Sequence, residues 1–93
     1  MDDVPEKLDG AIVRWVAPAT PGRVGHNYET GEPVAIAYYA ISQYERDGQR
    51  AYLFGVSADH EVVADTLWDS IEEAKSVAAN SSMASPSTWQ ARG

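Results

Sequence analysis

His26 and His60 are the two histidines of this 93-residue chain, and it contains no cysteine. These residues bound the acid–base and nucleophilic chemistry open to it. A serine–histidine–acid relay needs its serine on a sharp turn, and the sequence holds no Gly-x-Ser-x-Gly elbow. His60-Glu61 begins like the zinc-protease helix motif, but Ala64 stands where the second histidine ligand belongs. Asp59, His60 and Glu61 are metal-ligating residue types in a row, yet neighbours on an extended chain point to alternating sides and do not converge. Glu72 and Glu73 are the paired carboxylates that glycoside hydrolysis requires, but on the solvated side of a helix they lack the cleft that would raise one pKa. Without cysteine there is no thiol nucleophile, disulfide, Cys-ligated zinc or iron–sulfur cluster. The expectation is a protein without catalytic residues, metal or cofactor.

Two constellations suit binding instead. In Pro21-Gly22-Arg23-Val24-Gly25-His26-Asn27, glycines beside Arg23 and His26 offer a backbone nest for an anion, although the Gly-Lys-Ser/Thr ending of a phosphate loop is missing. The second constellation is acidic. Asp and Glu number 14 against 7 Lys and Arg, a formal net charge of −7, and Asp65, Asp69, Glu72 and Glu73 fall in the most acidic third. The seven basic residues are scattered singly, which argues against direct contact with a nucleic-acid backbone and favours a basic protein partner. No apolar run approaches the roughly 20 residues of a membrane span, and the N-terminus is acidic where a secretory signal is basic. A soluble, cytoplasmic protein is expected.

The elements that must carry these residues follow from periodicity. Residues 1–10 read as a flexible acidic leader, and Ala11–Val16 as a first strand ending before Pro18. Residues 17–33 hold three prolines and three glycines with no apolar period, so they read as a long loop. Val34–Glu45 forms a second strand, with Val34, Ile36, Tyr38 and Tyr44 on one face and Tyr39 and Ile41 on the other. Asp47-Gly48 suits a tight turn into a third strand over 51–57, and Ala58-Asp59-His60 turns into a short fourth over 61–64. Ser70-Ile71-Glu72-Glu73 fits a capping box, followed by apolar positions Ile71, Ala74, Val77 and Ala78 at helical spacing. A rival start at Thr66 with Asp69 as the capping acid is left open. The Ser-rich residues 80–93 read as a mobile tail.

The expected fold is a single α+β domain over 11–79: a small antiparallel β-meander of about four strands, with one C-terminal amphipathic helix on one face. A ten-residue helix spans only ~15 Å and covers one side of such a sheet. Three occupants suit the other side: the 17–33 loop folding back, the tail with Trp89, or another protein, including a second copy in a homodimer. The expected function is non-catalytic protein interaction, immunity-, antitoxin- or adaptor-like. Tyr38, Tyr39, Tyr44 and Trp89 would serve as anchors, with Asp65, Asp69, Glu72 and Glu73 as the acidic rim. The alternative is a small-ligand domain in which the 17–33 loop lids a pocket and Arg23 and His26 make the polar contacts.

Overall fold

Asp9 (φ 50°) and Gly10 (φ 81°) both occupy the left-handed region, the backbone of a two-residue hairpin turn whose twist matches its flanking strands. The chain therefore reverses at once. In the computed structural model, which describes residues 3–92, β1 (Lys7–Leu8) pairs antiparallel with β2 (Ala11–Pro18). The segment expected to be a leader thus enters the sheet, because Val4 and Leu8 are apolar enough to bury against it. Met1 and Asp2 of that leader, and Gly93 of the expected tail, lie outside the described residues.

The main sheet continues through β5 (Tyr38–Gln43), β6 (Ala51–Val56) and β7 (Val62–Trp68), all antiparallel, in the order β1-β2-β5-β6-β7. A further short strand, β8 (Gln90–Ala91), pairs with β2 at Trp15 and Val16. Two more, β3 (Val24–His26) and β4 (Pro33–Ala35), form a separate hairpin. The chain is a small α+β domain as expected, but with eight strands among the described residues rather than about four. The additional strands are short pairings that carry no periodicity of their own.

The expected second strand, Val34–Glu45, is divided. Val34 and Ala35 belong to β4, after which the Ile36 amide bonds the Arg23 carbonyl (2.9 Å) and the Ala37 amide bonds the Val56 carbonyl (2.8 Å). That step changes the phase. Ile36 packs with Tyr39 and Ile41, whereas Tyr38 lies on the opposite face with Tyr44. The expected fourth strand, in turn, runs on to Trp68, since Thr66, Leu67 and Trp68 are all β-prone. Thr66 therefore pairs with Leu53 in the sheet, which removes it as a helix start.

The helix α1 (Ile71–Asn80) begins at Ser70, whose Oγ accepts from the Glu73 amide (3.1 Å). Glu73 reaches back one residue further than a capping box requires, accepting from the Asp69 amide (3.3 Å). Ala74 and Ala78 of α1 bury against Tyr39, Ile41, Leu53 and Val63, the first of two cores. Ile71 and Val77 are half-buried beside them. The helix is too short to finish the cover, and the chain's end completes it: Ala84 is buried and Met83 and Trp89 pack on the same core. The expected mobile tail is therefore part of the fold.

On the other face Val13, Val16, Tyr38, Phe54 and Val56 form a second core with Val4 and Leu8 from the N-terminus. A bulge between Val13 and Trp15 lets Val13 and Val16 share this face while Trp15 turns to the helix side. Ser42, fully buried in β5, has no hydrogen-bond partner for its Oγ among the described residues. Replacing an unsatisfied buried hydroxyl removes a desolvation cost, so Ser42→Ala is expected to stabilise by about 1 kcal/mol. Urea unfolding checks this; a loss of stability would mean that the hydroxyl is bonded.

Candidate functional site

β7 is the terminal strand of the sheet, with β6 as its single sheet neighbour among the described residues. Its first half is met by the β3–β4 hairpin. Gly25 of β3 approaches Val63 so closely that a Cβ there would lie 2.8 Å from the Val63 carbonyl carbon. Glycine is needed at this position for the approach itself, not for its backbone angles. From Gly25 the hairpin departs in two directions.

Towards its tip, Asn27 organises the turn, its side chain accepting from the Glu29 (2.9 Å) and Thr30 (3.1 Å) amides. Tyr28 then donates its hydroxyl to the Asp65 carboxylate at 2.6 Å. Partial desolvation, and then the carboxylate itself, push the Tyr28 phenol far above its usual range, even with the residue 60% exposed. Removing the hydroxyl with Tyr28→Phe is expected to cost about 0.5–1.5 kcal/mol, with faster amide exchange in residues 24–35. A raised folded pKa means that this contribution is complete below the ordinary tyrosine value of 10.0 and declines as pH rises above it. The stability gap between wild type and Tyr28→Phe should accordingly narrow above pH 10; a gap constant in pH would contradict the contact.

Towards Gly22 the hairpin diverges from β7 and leaves a cleft of about 360 Å³. Its floor is apolar, made by Ile36, Tyr39 and Leu53, with Met83 at one side. Arg23, Asp65 and Thr66 supply the polar lining. Arg23 is half-buried, and the arginine side-chain hydrogen bonds among the described residues belong to Arg14 and Arg92 instead.

The residues singled out by sequence are distributed unevenly. Tyr38 and Tyr39 are 4% and 2% exposed, one in each core, so neither can anchor a partner as expected; both faces of β5 are already covered. The Tyr38 hydroxyl is paired with His60 Nδ1 at 2.8 Å. Tyr44 is half-buried against Tyr52 in an edge-on contact, beneath the Arg46 guanidinium, and its hydroxyl donates to the Asp9 carbonyl (2.7 Å). Trp89 lies half-buried on the helix-side core rather than free, with its buried Nε1 unpartnered among the described residues. Arg23 reaches the cleft, but His26 is exposed and does not line it: it lies on the tip side of Gly25, whereas the cleft opens on the Gly22–Val24 side. The acids fare differently. Asp65, Asp69, Glu72 and Glu73 are all exposed, in succession along β7 and the first turn of α1.

No family model, curated protein or solved structure matches this chain. The site must therefore be read from its own chemistry. Of the cleft's lining, Thr66 and Met83 are not legible as site residues in the sequence; the β-prone Thr66-Leu67-Trp68 step is the available signal for the longer strand. No three His, Asp or Glu side chains gather as a metal site among the described residues. In the same residues no helix is long and apolar enough to cross a membrane.

Proposed function

We propose that this chain is a non-catalytic interaction module that binds a basic segment of a partner protein, in the manner of an immunity protein, antitoxin or adaptor. The observation that carries this reading is the stretch 61–74, where Glu61, Asp65, Asp69, Glu72 and Glu73 are exposed and no lysine or arginine intervenes. The next basic residue, Lys75, is engaged elsewhere, with its Nζ 3.4 Å from the Trp15 ring centroid. Such a one-signed surface raises the encounter rate with a basic partner and fixes its register. A cysteine-free chain also suits the cytoplasm.

The test is fluorescence anisotropy with labelled basic, neutral and acidic peptides. Basic peptides should bind preferentially and lose at least tenfold in affinity at about 0.5 M salt, where screening shortens to roughly 4 Å. Equal binding by all three classes, or binding that ignores salt, would overturn the reading.

A second reading rests on the cleft beneath the hairpin, where a half-buried arginine stands over an apolar floor. Its volume lies within the ~300–1,000 Å³ of small-molecule sites. There Arg23 would hold the anionic group of a small apolar ligand, with the hairpin as lid. A metabolite that stabilises the wild type and not Arg23→Ala in a thermal-shift screen would favour this reading over the first.

A further inference from the structure

A sheet edge left unpaired is a template for another strand, and most such edges are kept short or covered. In this fold the outer side of β2 is shared between two-residue strands, β1 and β8. The other end of the sheet is unlike it. β7 runs for seven residues, and beyond Val63 the hairpin stands off across the cleft, so among the described residues no strand pairs with the outer side of residues 64–68. At about 3.3 Å per residue this free edge is on the order of 17 Å long.

We propose that residues 64–68 of β7 are a peptide-docking edge. The occupant is an extended segment of a partner protein, which adds as a strand beside β7 and places one aliphatic side chain in the cleft, with lysine or arginine on either side of it. This rests on the reading of the partner as basic and deepens it by naming the place and geometry of contact.

Three features select this occupant. The acids at Asp65, Asp69, Glu72 and Glu73 border the edge and favour a basic segment. They also disfavour a second copy, since pairing two β7 edges would set like charges side by side. The anchor itself cannot be basic, because Arg23 lines the cleft, and the apolar floor of Tyr39 and Leu53 matches an aliphatic group. Main-chain hydrogen bonds would then supply the affinity and the cleft the specificity, as in other strand-addition complexes.

The experiment uses a random peptide display library panned against the full chain, followed by amide hydrogen exchange of the protein with the selected peptides. Selected sequences are expected to carry Lys or Arg flanking an aliphatic residue. Their binding should slow exchange at alternate amides within 64–68 by tenfold or more. Replacing the aliphatic residue with alanine, or the pair Asp69→Asn and Glu72→Gln in the protein, should each weaken binding about tenfold. If basic peptides are selected and bind without protecting any amide of 64–68, the docking edge is wrong while the basic-partner reading survives. If no basic peptides are selected, both fall, and the edge acids serve only to keep other strands away.

Discussion

Ile41→Ala is expected to lower the unfolding free energy by about 2–5 kcal/mol, the largest effect of any single truncation considered. Ile41 is fully enclosed at the centre of β5, paired with Trp15 of β2 on one side and Leu53 of β6 on the other. On the helix side it shares a core with Ala74 and Ala78, whose small side chains cannot move in to fill a void. Domains as a class are stable by only ~5–15 kcal/mol, and one of this size sits low in that range. The variant should be substantially unfolded at physiological temperature. Urea denaturation measures it: a midpoint lowered at unchanged slope is the expected result, and a change below about 1 kcal/mol would contradict the placement of Ile41.

Gly25→Ala should have the second-largest consequence, and a more local one. The added methyl would run into the Val63 carbonyl oxygen and lie 2.8 Å from both the Val63 carbonyl carbon and its Cγ2. Neither can yield cheaply, since Val63 is buried in the core and its backbone belongs to the β6–β7 ladder. Overpacking of this kind costs about 1–3 kcal/mol. The hairpin is the part free to move, so residues 24–35 should lift from β7, breaking the Tyr28–Asp65 bond and opening the cleft. Amide exchange would report fast exchange in 24–35 with the main sheet still protected. Unchanged exchange in the hairpin would mean that β3 does not press on β7.

These two positions also mark what was legible in the sequence. Ile41 lies in a run of β-branched and aromatic residues whose alternation is plain, and the capping serine at Ser70 announces α1 in the same local way. Local pattern identifies the helix, the α+β class and the pairing of β5 with β6, although a 3-10 turn over Glu45–Asp47 joins those strands instead of a tight Asp47-Gly48 turn. Gly25 carries no such signal: its role depends on Val63, 38 residues away in sequence, and only the folded chain brings them together. The same holds for β1 and β8, two-residue strands whose pairing is set by what they bury rather than by period. Alternation puts Tyr38 and Tyr39 on opposite faces, and the tail with Trp89 is among the covers the sequence suggests, but nothing in the pattern of residues 1–10 marks Val4 and Leu8 as the cover of the other face.

For the candidate site, the acids were legible because charge is read directly from residue type, and exposure followed from it. Arg23 stands out for its company of glycines, although His26, three residues on, does not line the cleft. What joins Arg23 to Asp65 and Thr66 is the divergence of the hairpin from β7, a consequence of tertiary packing alone.

On the proposed reading, the acidic stretch along β7 and the start of α1 receives a basic partner segment. An NMR titration of the labelled chain with a basic peptide at low salt tests it most directly. Shift changes are expected to concentrate in residues 61–74 and in the Gly22–Val24 side of the cleft, and to reverse with salt. Changes centred on Tyr44, Arg46 and Tyr52 at the other face, or none at saturating peptide, would contradict it.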